Sequence, residues 1–145
     1  QVELKKVSPS LASLERIASG LGVTLGQFFV TAAPPTTAAI KASQRPTLQS
    51  AWSRSQIESL GHPGVGSTFE VLMITVRPGG RSSAELHARE TELCVIVFSR
   101  RVRLQLGETS HMLQRGDAIT IPAGTPHRWE NTAAKAVQLL KVVAR

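Results

Sequence analysis

Cysteine is nearly missing. Cys94 is the single one in 145 residues, so no internal disulfide framework can form, and a reducing, cytoplasmic setting is expected. Its neighbours Leu93, Val95, Ile96 and Val97 suit a buried small hydrophobe better than a nucleophile. No apolar run approaches the roughly 20 residues that cross a bilayer. Gln1-Val2-Glu3-Leu4-Lys5-Lys6 lacks the apolar core of a signal peptide, so no membrane partner is expected. A phosphate-cradling Gly-rich loop, a Cys-x-x-Cys pair and a Ser nucleophile elbow are also missing, and no long-period repeat occurs. Acidic residues are scarce, 10 against 17 basic ones, leaving a formal charge of +7. That excess favours an anionic partner such as nucleic acid, but the arginines run from Arg16 to Arg145 without clustering, as solvated strand faces and turns would.

What is present reads as a small helical unit, a linker and a β domain. A hydrophobic fraction of 41% over 145 residues is enough for one domain with a core and something small beside it. Leu11, Leu14, Ile17, Ala18 and Leu21 recur at helical spacing behind Ser8 as N-cap and Pro9 in the first turn, and the helix should stop at Gly22. A second helix should begin at Thr24, where Thr24 and Gln27 make a capping box and Val23 and Phe28 a hydrophobic staple. The Pro/Ala/Thr tract from Thr31 reads as a linker. From Thr47 onward the pattern is β. Strands are expected over 70–77, 92–98, 102–106, 111–114, 118–121 and 137–143, with turn residues between them, as in a sandwich or barrel.

The most informative stretch is Gly116 to Asn131. Gly116-Asp117 is a turn signal, Pro122 to Pro126 a rigid second turn, and a strand starting at His127 puts His127 and Trp129 on one face. Gly116, Pro122, Gly124, His127 and Asn131 resemble the second motif of the cupin superfamily, with all five positions filled. The first motif is matched by Gly79, Glu85, His87 and Glu92. Glu85 stands where that family usually has a histidine, and Ser99 replaces the closing glycine. The resemblance covers about the last two thirds of the chain. It implies a mainly β double-stranded jelly-roll barrel over residues 48–145, with Glu85, His87, Glu92 and His127 as metal ligands.

Two imidazoles and two carboxylates suit zinc, manganese, iron, nickel or copper and neutralise a divalent ion. Glu85 and His87 are read as sharing one face of a strand. Two alternatives stay open, a barrel that has lost its metal and a Glu85 turned outward to leave three ligands. Met73, Thr75, Ile96, Trp129 and Arg77 are candidate barrel-lining residues, and an inward Arg77 would favour a carboxylate-bearing effector. His62 and His111 are left outside the site.

Residues 8–11, 14–18, 21–25 and 28–29 resemble the last two helices of the DNA-binding domain of phage-repressor-like (Xre-type) regulators. The resemblance makes residues 1–30 the end of a helix-turn-helix domain whose groove-reading helix is not intact here, and residues 31–47 the linker. A plain helical hairpin packed on the barrel is the other reading. Two functions follow as expectations. One is a transcriptional regulator, homodimeric on operator DNA, whose cupin domain senses a small-molecule effector through a metal. The other is a metal-dependent cupin enzyme, a dioxygenase or isomerase.

Overall fold

The computed structural model describes residues 4–7, 9–22, 25, 39–61 and 68–144. In chain order the elements are β1 (Leu4–Val7), α1 (Leu11–Gly20), β2 (Thr47–Ser50), β3 (Ser55–Ser59), β4 (Phe69–Val76), β5 (Leu93–Ser99), β6 (Arg101–Leu106), β7 (Thr109–Gln114), β8 (Ala118–Ile121), β9 (His127–Glu130) and β10 (Val137–Ala144). One sheet of seven strands runs β1-β2-β3-β4-β10-β5-β8, and one of three runs β7-β6-β9. β1 pairs with β2 in parallel, and the other ladders are antiparallel. Isolated bridges from Arg81 to Glu130 and from His87 to His127 carry the small sheet one segment beyond β9. The mainly β jelly roll implied by the sequence is the observed fold.

Strand alternation fixes the inner face. On β10, Val137, Leu139, Lys141 and Val143 are buried while the residues between them are half-exposed. Leu72, Ile74 and Val76 of β4, Leu93, Val95 and Val97 of β5 and Leu104 and Trp129 of the small sheet complete one core. At about 25 cal/mol per Å² of apolar surface removed from water, this shared core dominates the stability of the β domain. Gly79 and Gly80 make the corner after β4. Gly79 takes φ +80°, and a Cβ on Gly80 would sit 2.4 Å from the Ser53 carbonyl, so only glycine fits there.

α1 is part of that core. Leu11 and Leu14 are 0% and 2% exposed and belong to the barrel's apolar cluster. Its first turn is tied to the barrel by Leu11 N–H to Ser53 Oγ at 3.0 Å and by Ala12 N–H to the Ser82 carbonyl at 3.3 Å. Ser50 Oγ also donates to the Pro9 carbonyl at 2.8 Å. The N-cap is Ser10, whose hydroxyl accepts from Ser13 N, and not Ser8. Pro9 therefore precedes the cap instead of occupying the first helical position. Gly22, at φ +73°, ends the helix as expected. Ile17 and Leu21, placed on the apolar face by spacing, are 44% and 66% exposed. The second helix from Thr24, apart from the helical Leu25, lies outside the described residues, as do His62 and linker residues 31–38.

Candidate functional site

Two backbone devices hold one imidazole at the mouth of the barrel. The turn after β8 closes through Thr125 N–H to the Pro122 carbonyl at 3.2 Å, with Gly124 at φ +76°. β9 then starts at His127, so His127 and Trp129 point inward and are buried. Asn131 locks the far end, donating from Nδ2 to the carbonyls of Val76 (2.9 Å) and Lys135 (2.8 Å). His127 Nδ1 donates to the Thr125 carbonyl at 2.9 Å, which leaves Nε2 with its lone pair free.

His87 is brought to the same place by a reciprocal pair of backbone hydrogen bonds with His127, at 2.9 and 2.8 Å. The ring centroids are 4.5 Å apart and tilted by 46°. The Ser83 hydroxyl donates to the Glu85 carbonyl, so its oxygen accepts from His87 Nδ1 at 3.1 Å. His87 therefore also keeps Nε2 free. Burial, reinforced by His127, Lys141 and Arg16, lowers its pKa to about 3. Burial lowers His127 as well, with the Thr125 hydrogen bond opposing. Both rings are neutral near pH 7 and are acceptors, not acids.

The two carboxylates expected beside them are elsewhere. Glu85 does not share a strand face with His87, because residues 81–87 run irregularly and the contact from Ser83 bends the chain at Glu85, turning it to solvent. Glu92 is also exposed, and its carbonyl accepts from Ala144 N–H at 3.2 Å. Among the described residues no three His, Cys, Asp or Glu side chains are grouped to hold a metal ion. The donor set therefore does not fit a resident divalent ion. Two imidazoles offer Nε2, and nothing in the described chain completes a tetrahedral or octahedral shell.

The candidate effector residues divide in the same way. Trp129 is on the inner face beside His127. Met73 and Thr75 stand on the face of β4 opposite Leu72 and Ile74. Ile96 shares the outer face of β5 with Cys94, which is half-buried instead of buried, and Arg77 is exposed. The inward sides of β4 and β5 could not be read from runs that are apolar on both faces. His111 is exposed on β7.

A cluster the motifs do not reveal lies next to His87. Lys141 is 2% exposed and its Nζ is 2.7 Å from Glu15 Oε1 of α1. Arg89 Nη1 pairs with Glu15 Oε2, while Arg89 Nε is buried without a hydrogen-bond partner among the described residues. Burial pulls Lys141 down to about 7, with Arg89 acting the same way and Glu70 opposing. Contact with the Glu15 carboxylate favours the ammonium form. Burial also lowers Arg89. A cavity of about 470 Å³ opens between α1 and this end of the barrel, lined by Glu15, Arg16, Glu70, His87, Arg89 and Glu90 among others. Its size suits a small molecule. One signal for Lys141 was legible, since it has the parity of Val137, Leu139 and Val143 on β10.

Comparison with known proteins places the chain in a family. The cupin domain model matches residues 72–143. The HTH-type transcriptional regulator PuuR of Escherichia coli (strain K12) is 20% identical over 139 residues, 96% of this chain and 75% of that protein. An HTH_3 family transcriptional regulator from Vibrio cholerae superposes with a TM-score of 0.68 at 20% identity, over 96% of this chain and 74% of that one. A cupin sugar phosphate isomerase from Silicibacter pomeroyi gives 0.58 at 27% identity, over 66% of this chain and 62% of that one. By the domain match over residues 72–143 and the shared barrel fold, this chain carries a cupin domain.

Proposed function

We propose that this chain is the sensing part of a transcriptional regulator, in which a small-molecule effector enters the cavity between α1 and the cupin barrel and changes how DNA-reading helices are held. The observation that carries this reading is the burial of α1 against the barrel mouth, with Glu15 ion-paired to Lys141. A helix docked on a ligand-sized cavity through a charged contact is an element whose position a ligand can bias. Similarity to PuuR and to the Vibrio cholerae regulator over 96% of this chain supports the same reading, and with it a homodimer on a two-fold operator.

The test is a footprint on the promoter of the protein's own gene, with protein expressed from the natural start codon. A protected two-fold site whose affinity shifts with a metabolite fraction is expected, and Ala12→Trp, which fills the cavity, should abolish the shift. Protein that protects no site would overturn the reading.

The enzyme reading has the isomerase likeness in its favour and needs a complete ligand set. A divalent ion would rest on the Nε2 atoms of His87 and His127, with its other donors brought by the ligand. Metal content well below one ion per chain, unchanged in His127→Ala, is therefore expected; stoichiometric metal lost in that variant would revive the ligand set of the cupin resemblance.

A further inference from the structure

We propose that Lys141 and Arg89 form a carboxylate-binding site at the barrel mouth, occupied in this structure by Glu15 of α1, and that a small molecule bearing a carboxylate takes the site by displacing Glu15. This rests on the reading of the adjoining cavity as an effector pocket and names the chemistry of its ligand.

Three observations carry the proposal. First, an ammonium as buried as Lys141, 2% exposed, needs an anion beside it, because an unpaired buried charge is strongly destabilising. The anion site is thus built into the barrel, and only the identity of its occupant is open to exchange. Second, Glu15 uses the guanidinium of Arg89 incompletely. Glu15 Oε2 lies against Nη1 as an ion pair, yet neither Oε2 nor the buried Nε of Arg89 has a hydrogen-bond partner among the described residues. A carboxylate arriving from the cavity can take Nε and an Nη together, the side-on two-bond geometry that makes arginine selective for carboxylates. Third, Glu15 and Arg89 both line the cavity, whereas Lys141 and Arg89 Nε are buried behind it, so a ligand carboxylate meets both cations only as Glu15 moves aside.

The charges around the site agree. Glu15, Glu70 and Glu90 face Arg16, Arg89 and Lys141. Moving the Glu15 carboxylate into water leaves one positive charge in excess, which a single ligand carboxylate neutralises. Glu70 and Glu90 remain and disfavour ligands carrying several negative charges. Once Glu15 is released, α1 loses its ionic tie to β10 and keeps its apolar contacts and its first-turn hydrogen bonds. Ligand binding would therefore loosen the cavity end of the helix before its start.

The experiment uses acetate as the probe on the whole chain. Glu15→Ala leaves the two cations without their anion, and acetate should fill the gap. Its melting temperature should rise saturably with acetate over a chloride control of equal ionic strength, by roughly 3–6 °C at ten times the dissociation constant. The unsubstituted protein should show no such rise, since its own carboxylate is present at high effective concentration. Glu15→Ala combined with Lys141→Met, which removes the buried charge as well, should fold and lose the acetate response. Equal responses of Glu15→Ala to acetate and chloride, or an acetate response that survives Lys141→Met, would overturn the proposal. Should Glu15→Ala not fold in buffer, refolding against acetate reads the same site, with recovery by acetate alone expected and recovery by neither salt counting against it. A protein whose effector response is lost in Ala12→Trp, but whose Glu15→Ala variant ignores acetate, keeps its effector cavity and loses this inference. Acetate rescue without any effector response sinks the regulatory reading alone.

Discussion

At the scale of single residues, the site is defined by which protons are held and where. His87 binds its proton with a pKa of about 3 in the folded protein against 6.5 in the unfolded chain. The unfolded state thus takes up more protons between those values, and stability that is fully present above pH 6.5 is lost as the pH falls toward 3. One pKa unit corresponds to about 1.4 kcal/mol, so the loss is on the order of a few kcal/mol. Urea midpoints at pH 7 and pH 5 should differ clearly, and His87→Asn should reduce the difference, with His127, also lowered by burial, supplying the rest. Lys141 sits at about 7 folded and 10.5 unfolded; its slope has the same sign, lies chiefly above pH 7 and fades by about pH 6, so it adds little in that window. An unaltered pH dependence in His87→Asn would mean that His87 is not the group responsible. His87 and His127, which the cupin resemblance groups, have ring centroids 4.5 Å apart because two turns and a backbone pair set their spacing. That resemblance misplaced Glu85 because a serine two residues earlier bends the chain, and hydroxyl-to-carbonyl contacts of that kind have no periodicity to read.

At the scale of elements, alternation placed β6, β8, β9 and β10 closely, since each has one buried face or a firm turn beside it. It failed on inward and outward sides for β4, which is apolar on both. For α1 the spacing foretold a helix but not its partner. Leu11, Leu14 and Ala18 are buried as the spacing implies, but exposed Ile17 and Leu21 and buried Glu15 turn the inward face toward Glu15, where the barrel offers Lys141 and Arg89. If α1 is a working part of the barrel core, shortening Leu14 will be felt by the whole domain. Leu14→Ala should cost about 2–5 kcal/mol, and strand and tryptophan signals should shift together in a single unfolding transition. A barrel transition that stays put while helical signal melts early would instead describe α1 as an appendage. The outcome also bears on the regulatory reading, because only a helix that shares the core can report the state of the cavity to whatever it is attached to.

At the scale of the whole molecule, the cluster that matters most joins residues 126 positions apart, Glu15 and Lys141, with Arg89 between them in sequence. Such convergence depends on α1 lying across the barrel mouth, a tertiary fact that no local pattern carries, whereas the barrel was legible because its turns and its second motif are contiguous. The same distinction applies to the charge of +7. Spread along the chain, it creates a diffuse attraction for nucleic acid but no array of phosphate contacts in register. In a gel shift, residues 1–145 alone should therefore give only a smear at about 50 mM salt that disappears by about 200 mM and does not distinguish sequences. A longer protein in which a complete helix-turn-helix domain is joined to this chain should retain one discrete complex across that range, and a carboxylate effector should alter its affinity without altering the smear. Discrete, nanomolar, sequence-specific complexes formed by residues 1–145 alone would show instead that the reading surface lies within this chain.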